Sequence, residues 1–153
     1  MPVREWSHMC DYATIDMKGH VSVIGIFELV FAPSLPAVHP LMYVVSRWSG
    51  EPGEQFTYAV RIIFGSDGSN VLMATKGFPV TIKQAVHAGS AEIRQATTIT
   101  PIAGLRFPFH GRYTIDILTD DIVVHTIPFW VEKPPQKLNI QKINNKQETE
   151  NSP

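Results

Sequence analysis

Apolar and polar positions alternate most regularly over residues 56–64, where Phe56, Tyr58, Val60, Ile62 and Phe64 stand against Thr57, Ala59, Arg61 and Ile63. A period of two places the first set on one face of an extended chain and predicts a half-buried strand. The strand ends at Gly65-Ser66-Asp67-Gly68-Ser69, whose Asp-Gly step supplies the positive φ of a hairpin turn, and residues 70–75 return from it. A second hairpin joins residues 9–17 to 20–29 through Lys18-Gly19. Further strands are expected at 41–48, 80–83, 92–100, 112–119 and 122–132. Twelve prolines and ten glycines leave few stretches long enough for a 3.6-residue apolar stripe. The pattern therefore predicts an all-β chain, an antiparallel two-sheet sandwich of about eight or nine strands.

Tyr113 follows Gly111-Arg112 at the entry of a strand, as a tyrosine corner does in immunoglobulin-like domains, and this makes an immunoglobulin-like sandwich the expected type. The cysteine usual two residues later is Ile115 here. In the last strand Ile122, Val124 and Trp130 share one register and Val123, Ile127, Phe129 and Val131 the other, with His125 as a core histidine in the second. Such a strand is either covered on both faces or meets a second chain through Trp130.

The 153 residues, 44% hydrophobic and 18% charged, fit one domain over residues 1–133. Past Lys133-Pro134-Pro135 the composition turns to Lys, Asn, Gln and Glu, so residues 134–153 are expected to be a disordered polar tail. A short strand at 138–143 that adds to a sheet edge is the alternative. Thirteen Lys and Arg against fourteen Asp and Glu give no basic surplus, from which no nucleic-acid partner is expected. Residues 21–33, the most apolar stretch, contain Glu28 and fall short of the roughly 18–20 residues that span a bilayer, so no membrane association is expected. The first residues lack the apolar core of a secretory signal, and Cys10 is the only cysteine. Both point to the cytoplasm.

The segments Cys10-Asp11-Tyr12-Ala13, Ile24-Gly25-Ile26-Phe27, Pro33-Ser34-Leu35-Pro36-Ala37 and Gly104-Leu105-Arg106-Phe107-Pro108, with Gly19 and Gly111-Arg112-Tyr113, resemble a family of short bacterial proteins known as a domain of unknown function. The resemblance covers residues 9–132. It implies a small, mostly β cytosolic protein and brings no catalytic residues with it.

Candidate chemistry is sparse. His8 and Cys10 share a strand face, but the other five histidines are scattered, and a lone cysteine closes no tetrahedral set, so no metal and no cofactor are expected. Cys10 precedes Asp11, whose charge raises a thiol pKa, and no G-x-S-x-G elbow or glycine-rich phosphate loop occurs. Asp11, Asp16 and Asp116 could face one another across strands, and Asp120 and Asp121 mark a turn.

Two proline-bearing connections stand out. Phe31, Leu35 and His39 hang from one, Phe107, Phe109 and His110 from the other, and these six are the candidate interaction residues. If both connections lie at one end of the sandwich they form a recognition patch; if they close the core they are packing. The expected function is a non-enzymatic protein-binding or assembly module, through a protein partner or self-association. The alternative is a small-ligand or carbohydrate binder with an aromatic cleft around Trp48, Tyr43 or Phe109, and an enzyme ranks last.

Overall fold

Alternation of period two governs most of the chain. In the structure, a computed structural model that describes residues 1–65, 67–85 and 93–136, it produces eleven strands and no helix over those residues. They are β1 (Val3–Ile15), β2 (Val21–Ile26), β3 (Leu29–Phe31), β4 (Ala37–Ser49), β5 (Gln55–Phe64), β6 (Asn70–Ala74), β7 (Phe78–Thr81), β8 (Lys83–Ala85), β9 (Ile93–Phe107), β10 (Gly111–Thr119) and β11 (Ile122–Glu132). One sheet has the order β2-β1-β4-β9-β8; the other runs β3-β11-β10-β5-β6, with β7 beside β6 on the same edge of β5. Every pair is antiparallel except β3 with β11.

The sandwich agrees with the alternation, whereas the immunoglobulin-like type is not confirmed by this strand order. The additional strands have local causes. Residues 20–29 divide at Phe27-Glu28, where the chain leaves the first sheet, Phe27 N donating to Met9 O and Glu28 O accepting from Trp130 N. Residues 80–83 divide about the buried Ile82. Strand β9 runs on through Pro101 and Gly104 instead of ending at Thr100. Residues 137–153, and with them the strand considered at 138–143, lie outside the described residues, as do His87 and Glu92.

Met42, Val44 and Trp48 of β4 face Tyr58, Val60, Ile62, Ile115 and Ile117 of the second sheet in one core. Between the sheets Ser46, Thr98 and Thr100 gather near the Tyr58 hydroxyl, and Trp48 Nε1 donates to Thr98 Oγ1 at 3.1 Å. Burial pushes the Tyr58 pKa up, more than the neighbouring hydroxyls lower it. Tyr43 and Val45 point the other way, and there the β1–β2 hairpin supplies Ala13, Val21 and Val23 to a second cluster with Cys10 and Ile99. The outer face of the five-stranded sheet is thereby partly roofed by its own hairpin.

Gly104 reverses which face of the sheet meets the core. Ile102 and Leu105 are both core residues, although three positions apart they would lie on opposite faces of a regular strand. Gly104 between them has φ +65°, a region open to glycine, and Pro40 of β4 lies opposite it, between the pairs His39 with Leu105 and Leu41 with Ala103. Phe107 is turned inward as a result.

The chain passes from one sheet to the other five times among the described residues: between β2 and β3, β3 and β4, β4 and β5, β7 and β8, and β9 and β10. The β3–β4 and β9–β10 passages lie at the same end, since Ala37 pairs with Phe107.

Candidate interaction site

The two proline-bearing connections meet at that end. His110 Nε2 lies 2.9 Å from Ala32 O; a carbonyl can only accept, so this nitrogen carries the proton. Ala32 N in turn donates to Glu132 O. The Tyr113 ring is fully buried, its hydroxyl donating to Phe109 O at 2.6 Å, which anchors the base of the second connection as expected of a corner tyrosine.

Within this frame the six candidate residues separate. Phe107 is wholly buried against Tyr113 and Phe129, and Leu35, which precedes a cis proline, packs on the same core. These two plug the sandwich. His39 belongs to β4 and rests half-buried with its ring against Phe27, and His110 ties the connections together. Phe31 and Phe109 remain open, 52% and 57% exposed. They do not form one patch with the rest: Phe109 leans on Phe64 of β5, while Phe31 sits on β3 at the far edge of that sheet.

An open apolar strip runs from Phe31 along the outer face of the six-stranded sheet. Leu29 pairs with Trp130 and Phe31 with Glu132, and Trp130 pairs on its other side with Arg112. Leu29 and Trp130 are 38% and 37% exposed. Beyond Arg112 the face becomes polar. Asp116, nearly buried, accepts from Arg61 Nη2 at 2.7 Å and from Thr126 Oγ1 at 2.9 Å. The sequence alternation left the Trp130 register either covered or open to a second chain; the contribution of β3 was hidden, because three residues carry no period.

The remaining constellations fall apart in space. Cys10 is buried, which pushes its thiol pKa up, and the Asp11 charge adds to the shift. His8, on the same face, stacks on Trp6. Asp16 accepts from the Lys18 and His20 amides of its own turn, Asp116 holds Arg61, and Asp120 accepts from Thr57 N, so the carboxylates do not converge. Among the described residues no three His, Cys, Asp or Glu side chains form a cluster fit for a metal. Of the residues named for the alternative aromatic cleft, Trp48 lies in the core without exposure, Tyr43 packs edge-on against Tyr12, and Phe109 is open. No helix of the described residues is long and apolar enough to cross a membrane.

Residues 5–132 match the family of unknown function DUF6941. The chain belongs to that family. No curated protein matches it. Among solved structures, the Pseudomonas fluorescens alkylpurine DNA glycosylase AlkC bound to DNA containing an abasic site analog is similar to this DUF6941 chain over 82% of its length, at 10% identity and a TM-score of 0.43. The chain spans 30% of that glycosylase. The expectation of no nucleic-acid partner is withdrawn, because it rested on a net charge of -1, a whole-chain average that constrains no single face. At this TM-score the likeness carries no argument about what the DUF6941 chain binds.

Proposed function

We propose that this chain is a non-enzymatic protein-binding or assembly module that works in the cytoplasm, where a lone buried thiol such as Cys10 stays reduced. The observation that carries the reading is the strip of Leu29, Phe31 and Trp130 with Arg112 beside it. Tryptophan and arginine at the centre of a contact supply much of the binding energy in protein interfaces, and here both stand on paired strands that hold them in place. Little ordering entropy is then lost on association.

The test is affinity capture with the native chain and with Phe31→Ser, Trp130→Ser as baits. Proteins retained by the native bait should be lost by the double variant, whose melting temperature should change by only a few degrees because both side chains are half open. Capture of the same set by both baits would refute this surface as the site.

A further inference from the structure

The longest free sheet edge in the described molecule belongs to β9. That strand pairs with β4 from Gln95 to Phe107, but with β8 only from Ile93 to Gln95. From Ala96 onward no strand is hydrogen-bonded to its second edge, and no turn amide or carbonyl reaches it, among the described residues. Pro101 shows which groups face outward. A proline inside a sheet keeps its nitrogen off the ladder, and peptide groups alternate, so Thr97, Ile99 and Ala103 present their N–H and C=O on the open side. Several other edges are short or interrupted. Strands β3, β7 and β8 have three or four residues, and in β2 the ladder turns at Gly25, φ +67°, beneath the Asp11 side chain.

Two clefts lie along this β9 edge. One, of about 600 Å³, lies between Thr97 and Ile99 on one side and Phe78 and Val80 of β7 on the other, with Ile15 and Gly19 of the β1–β2 hairpin at its border. The other, of about 350 Å³, separates Ala103 and Leu105 from Leu72 and Met73 of β6. Lys83 borders the first and Arg106 the second, both exposed, and no carboxylate lines either cleft.

We propose that the β9 edge takes up an extended acidic segment of a partner protein as an added strand. The outward peptide groups of Thr97, Ile99 and Ala103 pair with its backbone, and its alternate apolar side chains meet the walls of β7 and β6. Its carboxylates lie toward Lys83 and Arg106. The proposal rests on the reading of the chain as a protein-binding module and adds the edge used and the chemistry of the partner.

A displayed library of random nine-residue peptides, panned on the full chain, supplies the probe. Enriched peptides should alternate apolar residues and carry Asp or Glu, and in hydrogen exchange they should protect the Thr97 and Ile99 amides. Thr97→Pro removes one outward N–H where an edge strand tolerates its loss, and should weaken the selected peptide at least tenfold by titration calorimetry. Lys83→Glu with Arg106→Glu should shift preference to lysine-bearing peptides. The proposal is overturned if Thr97→Pro binds within twofold of the native chain, or if panning enriches nothing. It is equally overturned if the two amides are already protected in the chain alone, by a second copy when protection grows with concentration and by the chain's own residues beyond 136 when it does not. Selected peptides that protect Leu29 to Phe31 instead would refute the β9 edge while leaving the protein-binding reading in place.

Discussion

Phe107 and Phe109 stand two residues apart and end in opposite surroundings, one without exposure in the core and one open over Phe64. Phe107→Ala should therefore cost about 3–5 kcal/mol in denaturant unfolding, the range for removing a buried phenylalanine, whereas Phe109→Ala should cost less than about 1 kcal/mol. Equal losses would mean that the connection is packed differently. His125 gives a second expectation at this scale. Burial lowers its pKa and the Arg4 charge adds to the effect, so the unfolded chain binds the proton more readily than the folded one. Its contribution to stability is full above the unfolded value of about 6.5 and is lost as pH falls through that value toward the depressed folded one. Melting temperatures at pH 7.5 and 5.5 should draw apart less in His125→Gln than in the native chain. The two phenylalanines were legible as a pair, but which of them turns inward was not, because that depends on the reversal at Gly104, three residues before the first ring.

At the scale of the element, two glycines with nearly the same φ make different demands. A Cβ at Gly104 meets nothing within 4 Å, so Gly104→Ala tests backbone conformation alone and should destabilise by about 1–2 kcal/mol. At Gly25 the new methyl also runs into the Asp11 side chain. Gly25→Ala should cost more, and Asp11→Ala in that background should recover only the steric part; full recovery by the second change would show that the φ of residue 25 carries no penalty. Strand β5 was readable from its sequence because five apolar residues alternate without interruption. Strand β9 was cut short at Thr100, since Pro101 and Gly104 read as breaks, and both are tolerated because one lies on an open edge and the other marks a change of face. That β9 is an edge strand at all follows from pairing with β4, some fifty residues away, which no local pattern records.

For the molecule as a whole the two sheets differ in character. The five-stranded sheet is partly roofed by the β1–β2 hairpin, while the outer face of the other keeps Trp130 and Leu29 open. The five passages between sheets bear on how the fold is lost. Each connection is short, and they sit at both ends of the stack, so neither sheet can separate without drawing the other apart. Unfolding should then be all-or-none: the fluorescence of buried Trp48 and the far-ultraviolet circular dichroism should follow one curve, with calorimetric and van't Hoff enthalpies equal. Two resolved transitions would contradict this. A protease meets the same lacing as a single lock. A bond inside β4 or β10 becomes accessible only when the entire sandwich opens, so the rate of cutting there should report the global folding equilibrium, and a ligand that stabilises the native chain should slow digestion at every interior site by the same factor.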